Sequence, residues 1–195
     1  MHAPARPVPP RYDRWPIALQ YAMRNRGALV QCGPGMRGAG WPDSPTVRLT
    51  ALAPWLQTGV AASHLTAAWV WGALDDCPKP LSVSSDPGNH RRVKHGSRHH
   101  ELRFAAGDRI HLGEFQVTTP ARTVLDLLHT DGQLDDLAFG ACVRLLRDHP
   151  GARDRVASSL ARYSRPWVKR AREHFAALAA THDSALDSPQ RSPKE

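Results

Sequence analysis

The sequence predicts an α+β fold: a small antiparallel sheet packed against helices, with a short N-terminal helix–hairpin and a helical C-terminal tail. Three observations predict it. Apolar residues recur at helical spacing in several separate segments, as in Trp15, Leu19, Ala22 and Met23. Short stretches between 81 and 117 alternate apolar and polar, and Gly, Pro, Asn or Asp separate them. With 195 residues, 41% of them hydrophobic, the chain can bury a core without disulfides or metals.

Residues 1–12 are expected to form a disordered tail, because proline fills four of the first ten positions and there is little apolar side chain to bury. A reduced winged-helix-like module is expected over 13–43. Its helix begins near Pro16 and stops at Gly27, Ala28 to Cys32 forms a strand, and Gly33-Pro34-Gly35 forms a turn. An α/β domain is expected over 44–150. It opens with a helix capped by Ser44-Pro45 and shortened by Pro54, then a turn at Thr58-Gly59 and a second helix capped by Ser63 and closed by Gly72. This pair does not read as a helix-turn-helix. Its second helix has no Arg or Lys between Ser63 and Leu74, so its two tryptophans and small alanines belong to a core.

Strands are expected at Leu81–Ser85, at Glu101–Phe104, and on either side of Gly113-Glu114, which makes three or four strands. Thr119-Pro120 starts a helix with Val124, Leu125, Leu127 and Leu128 on its apolar face, and Arg122 and Asp126 at i and i+4 for a structural ion pair. A further helix runs from about Gln133 to Asp148, before the His149-Pro150-Gly151 break. A basic helical extension over 151–181, interrupted at Ser164-Arg165-Pro166, and a disordered tail over 182–195 complete the chain.

Net charge is +8, and its distribution is uneven. Segments 1–50, 90–103 and 150–175 are basic, at +5, +4 and +5; those between and after them are neutral to acidic. Lysine occurs only at 79, 94, 169 and 194, so arginine supplies nearly all the positive charge. Guanidinium forks favour planar, two-point contact with phosphate or carboxylate. A basic surface attracts polyanions through summed Coulomb attraction and counterion release.

Several classes are disfavoured. The three cysteines, Cys32, Cys77 and Cys142, are odd in number and form no CxxC, against a disulfide framework or zinc knuckle. No apolar run approaches the roughly 20 residues of a membrane helix, and the N-terminus lacks an apolar signal core, so a cytoplasmic location is expected. There is no P-loop, GxGxxG, GxSxG or HExxH, and no acid stands two residues before Lys94 or Lys79 as a metal-dependent nuclease would need. Neither catalytic activity nor a cofactor is expected. The four histidines of 90–100 do not converge as metal ligands, because His99 and His100 face opposite ways on a strand, so no metal is expected.

Two stretches carry a family resemblance. Ser63-His64-Leu65-Thr66-Ala67-Ala68-Trp69-Val70-Trp71-Gly72 resembles the S-H-x-T-A-A-x-L-x-G helix of AbiEi-like antitoxins of type IV toxin–antitoxin systems. The segment from Gly113 through Val117-Thr118-Thr119-Pro120-Ala121-Arg122-Thr123 to Asp126-Leu127 resembles that family's G-x-x-V-T-S/T-P-A-R-T-x-x-D-L block. The resemblance spans about 44–148. It implies a transcriptional regulator that binds duplex DNA at its own operon, with a nucleotidyltransferase-like toxin as functional partner. The chain departs from the family at both ends. Its N-terminal module is shorter than a full winged helix, and the region after residue 150 carries no nuclease pattern.

The DNA-contacting residues expected are Arg24, Arg26 and Arg37 of the helix–hairpin, Arg91, Arg92, Lys94 and Arg98 of the basic segment, and Arg165, Lys169, Arg170 and Arg172 of the terminal helix. Val168, Ala171, Phe175 and Leu178 share that helix's apolar face, which would serve the body of the protein or a dimer. The competing readings are a protein-interaction module that has lost DNA reading, and a degenerate nuclease.

Overall fold

A computed structural model of the chain describes residues 7–88, 94–129, 134–162 and 166–186. The chain divides into two compact units, Met1–Thr119 and Pro120–Glu195. The division falls between Thr119 and Pro120.

In the first unit, a 3₁₀ turn at Tyr12–Arg14 leads into α1 (Ile17–Asn25). Gly27, at φ +74°, ends α1, with Ala28 N–H donating to the Met23 carbonyl. The hairpin of β1 (Leu29–Cys32) and β2 (Gly35–Gly38) follows, as expected. The chain is held earlier than the expected start at 13. Pro9 is buried, Arg11 pairs with Asp13 at 2.7 Å and Glu114 at 3.1 Å, and Tyr12 lies edge-on to Trp15. The hairpin is seated on α2 (Pro45–Ala51), whose first turn Ser44 caps through Val47 N–H. Leu49 and Leu52 are almost wholly buried below it, each stabilising by about 2 kcal/mol on area grounds. A 3₁₀ turn at Ala53–Trp55, containing Pro54, ends the helix where proline was expected to shorten it.

The main sheet has five strands in the order β5-β4-β3-β7-β6. They are β3 (Val60–Ala62), β4 (Leu81–Ser85), β5 (Ser97–Glu101), β6 (Arg109–Leu112) and β7 (Phe115–Thr118). The sheet is mixed, not antiparallel: β3 runs parallel to β7, and β4 parallel to β5. The expectation missed β3, because its three small residues, all buried, show no period of two and read as a connection into the next helix. β5 lies four residues earlier than expected, since Ser-Arg-His-His-Glu on a sheet edge shows no apolar alternation. β4 alternates as a half-exposed strand would, but Leu81, Val83, Ser84 and Ser85 are all buried. Between β3 and β4 stands α3 (His64–Val70), whose Thr66, Ala67, Ala68, Trp69 and Val70 are buried, consistent with a core helix.

The second unit is helical: α4 (Pro120–Leu128), α5 (Asp136–Asp148), α6 (Gly151–Arg162) and α7 (Pro166–Leu186). The helix expected from Gln133 starts at Asp136, capped by Asp135, whose carboxylate accepts from Ala138 N–H at 2.7 Å. The Arg122–Asp126 pair forms at 2.7 Å with the carboxylate buried. α7 packs on α4, α5 and α6, and continues past the expected end at 181. Val168, Ala171 and Leu178 are buried, so the predicted stripe faces protein.

The hairpin's seat on α2 has a sharp steric test. A Cβ at Gly35 would stand 2.3 Å from the Ala51 carbonyl oxygen, which is backbone and cannot swing aside, while one at Gly40 meets nothing within 4 Å. Gly35→Ala is therefore expected to destabilise the protein by roughly 1–3 kcal/mol and Gly40→Ala by less than about 0.5 kcal/mol, measured by urea unfolding.

Candidate functional site

The structure sorts the basic side chains into two groups. One is consumed internally. Arg48 forms a two-point bridge to Asp43, donates to the carbonyls of Trp69 and Leu74, and lies over the Trp69 ring. The hydrogen bond from Arg48 holds the Asp43 carboxyl below its usual range. Arg109 pairs with Asp86 and covers Phe104; Arg11 pairs with Asp13 and Glu114 and covers Phe115. Such partly exposed pairs stabilise by no more than about 1 kcal/mol each. Their larger consequence is that these arginines are unavailable to an external anion.

The other group faces water. Arg24 and Arg26 lie at the end of α1, exposed, with Arg24 stacked 5.0 Å over the exposed Tyr21 ring and neither paired with a carboxylate among the described residues. α1 itself contains no acid and no buried residue. Lys94 and Arg98 are exposed and likewise have no carboxylate partner among the described residues. Lys94 is docked: its ammonium sits 4.6 Å over the Trp55 ring, and the Trp55 indole N–H points to the His95 carbonyl. In the second unit Lys169 and Arg170 are exposed on α7, while Arg172 donates to the Leu160 carbonyl at 2.8 and 3.2 Å. Arg37 turns inward instead of outward, half-buried, and donates to the Trp41 carbonyl at 2.6 Å. Arg91, Arg92 and Arg165 lie outside the described residues.

A polar cluster that sequence reasoning missed lies where β3 turns into α3. His64 adopts φ +49°, and no other described non-glycine residue has a positive φ. A left-handed conformation costs a side-chain-bearing residue about 1–2 kcal/mol. Ser63 stands at the N-cap, but its hydroxyl does not cap the helix. It accepts from the Ser84 hydroxyl at 2.6 Å and lies 3.1 Å from His64 Nδ1, and both serines are fully buried. The sheet register places Ser84 beside both Ala61 and His100, so Ser63, Ser84 and His100 share one face. The His64 and His100 rings stack at 4.1 Å. The turn is stitched to β4 twice more: Ser63 N–H donates to the Ser82 carbonyl, and Ser82 N–H to Thr66 Oγ1 at 2.7 Å.

The residues behind the family resemblance are therefore largely structural. Ser63, Thr66, Ala67 and Ala68 close the elbow, and all are buried. Val117 and Thr118 lie in the sheet, with the Thr118 carbonyl accepting from the Trp71 indole at 2.8 Å. These motifs specify a fold more than a chemistry. Ser84 and His100 carry no sequence signal of their own; only the register places them against Ser63 and His64.

A cavity of about 550 Å³ opens beside the hairpin, between Cys32, Arg37, Arg48, Trp69, Cys77 and Lys79. Its three cations face Asp43, Asp75 and Asp76, so it has no net charge to draw phosphate. No group of three or more His, Cys, Asp or Glu among the described residues could hold a metal ion, and no described helix is long and apolar enough to cross a membrane. Comparison of the sequence with protein-family models gives no match, and comparison with curated proteins gives none.

Two expectations test the elbow. If His64 is strained by its left-handed backbone, Gly at 64 relieves what Ala does not, so His64→Gly should unfold at higher urea than His64→Ala by roughly 1 kcal/mol. The second concerns pH. Burial holds the His100 and His129 imidazoles below 6.5, so the unfolded chain binds protons first as the pH falls. Stability present above pH 6.5 should be lost as the pH drops from there through the folded-state values. His100→Gln should make the fall in thermal midpoint shallower.

Proposed function

We propose that the protein is a duplex-DNA-binding regulator of the AbiEi-like antitoxin kind, acting through phosphate contacts from its exposed basic side chains. One observation carries this reading: the partition of its cations. Six carboxylates, those of Asp13, Asp43, Asp86, Glu114, Asp126 and Asp148, pair with Arg11, Arg48, Arg109, Arg122 and Arg147, while Arg24, Arg26, Lys94 and Arg98 are exposed without carboxylate partners among the described residues. Exposed guanidinium groups without carboxylate partners, one of them stacked on a tyrosine, suit a phosphate backbone. Arg24 and Arg26 sit at the end of a short helix beside a hairpin, an arrangement that supports approach to a groove. Lys94 and Arg98 flank the start of an edge strand and supply sequence-independent affinity. Arg37 is assigned to holding the hairpin against Trp41, not to base reading. A nucleotidyltransferase-like toxin is the functional counterpart this reading implies, and the cytoplasm its place of action.

A second reading has its own observation. α1 exposes Ile17, Leu19 and Tyr21 at 62, 44 and 47%, an apolar surface that suits a protein partner as well as a groove wall. The two readings separate on the Arg91, Arg92 and Lys94 triple-alanine variant. DNA affinity collapses under the first reading, and the protein's cellular phenotype persists under the second.

For the DNA reading, gel shifts with duplex from upstream of the gene should show binding that weakens steeply with salt. Each phosphate contact removed, by Arg24→Ala, Arg26→Ala or Arg98→Ala, should flatten the log–log salt slope by about 0.9. Alanine at Lys169 and Arg170 tests the second unit in the same way. No binding at low salt would overturn the reading.

A further inference from the structure

We infer that Cys32 and Cys77 form an oxidisable pair, able to join as a disulfide that locks the β1–β2 hairpin to the segment leading into β4. Cys32 is the last residue of β1 and Cys77 lies between α3 and β4, 45 residues on, so the two are neighbours only through the fold. Both thiols are free and line the same cavity. The turn that follows Cys32 packs directly on the Cys77 side chain: a Cβ on Gly33, the residue after Cys32, would stand 3.1 Å from Cys77 Cβ and 2.9 Å from the Trp69 ring. Gly33 itself sits at φ +54°, so glycine serves both the turn and the close approach of Cys77.

Access is unequal, and that sets the order of events. Cys32 is buried and Cys77 partly exposed at the cavity wall. A small-molecule disulfide entering the cavity meets Cys77 first. The Cys77 thiolate attacks one sulfur, forms a mixed disulfide, and releases one small thiol carrying the first proton. The Cys32 thiolate then attacks the Cys77 sulfur, forms the internal bond, and expels the second small thiol with the second proton. Both protein thiols are oxidised and the small disulfide is reduced to two thiols.

Burial pushes the Cys32 thiol up to about 11 and the Cys77 thiol up to about 12. Two consequences follow. The thiolate fraction, and with it the rate, should climb about tenfold per pH unit between pH 7 and 9. The bond, once formed, should resist reduction, because the site cannot stabilise the thiolates that reduction would release. Cys142, fully buried in the second unit, is the internal control.

The test uses the unaltered full chain, so no variant has to fold. The native protein is incubated with glutathione disulfide at pH 8.5, quenched with iodoacetamide under denaturing conditions, and mapped by mass spectrometry. The expected product has lost about 2 Da, carries one alkylated cysteine at 142, and yields a peptide joining Cys32 to Cys77, with a raised thermal midpoint that dithiothreitol reverses. Three alkylatable thiols after prolonged incubation, a stable glutathione adduct on Cys77 without the internal bond, or a bridge to Cys142 would each overturn the proposal. Since none of these readouts involves DNA, the result stands apart from the regulator reading.

Discussion

The short central strand β3 and the left-handed turn that follows it constrain everything else in the first unit. β3 is three residues long, buried throughout, and paired on both sides, antiparallel to β4 and parallel to β7. A strand that short gains little from its own ladder, so its place depends on what anchors its end. The anchor is the chain reversal at Ser63–His64, held by one backbone bond to Ser82, the Thr66 hydroxyl, and the buried Ser84 and Ser63 hydroxyls that lead to the half-buried His64 imidazole. Buried polar networks of this sort help when every member is satisfied and cost when one is not. His64 holds an unfavourable φ because the surrounding bonds over-determine it. From this elbow α3 runs back across the unit, carrying Trp69 and Trp71 to the hairpin side and to β7 respectively.

Charge is allocated with similar economy. The arginines nearest the core are neutralised by carboxylates or backbone carbonyls, and Arg48 alone ties α2 to two carbonyls at the end of α3. Removing either partner of such a pair would leave a half-buried charge exposed to poor solvation. Among the cations left on the surface are those of the α1 terminus, the approach to β5 and Lys169 and Arg170 of α7. A net charge of +8 becomes informative only after this subtraction, since the paired arginines add to the sum without adding to what a polyanion meets.

Much of the fold was legible in the sequence, for identifiable reasons. Gly27, Pro54, Gly72 and Pro120 punctuate the chain through backbone restrictions that context seldom overrides, and the elements they bound were placed correctly. The apolar faces of α4, α5 and α7 follow the helical period closely enough to identify most of their buried sides, although Leu137, expected on the apolar face of α5, is exposed and Phe175 of α7 is half-buried. What escaped was whatever depended on pairing. β3 has too few residues to show a period, and β5 hides its register in a run of Ser, Arg and His. The elbow was half-visible: Ser63 read as a cap, while its true partner, Ser84, lies 21 residues away and is reached only through the β3–β4 register. Arg37 looked like its neighbours Arg24 and Arg26, and only the fold shows it turned towards Trp41.

The central claim is that surface cations, and not the paired ones, meet a nucleic-acid backbone. It is tested most directly by following arginine side-chain Nε–Hε signals by NMR as duplex DNA is added at low salt. The account predicts that the signals of Arg24, Arg26 and Arg98 move while those of Arg11, Arg48 and Arg109 stay in place. An unchanged spectrum, or movement confined to the paired arginines, would contradict it.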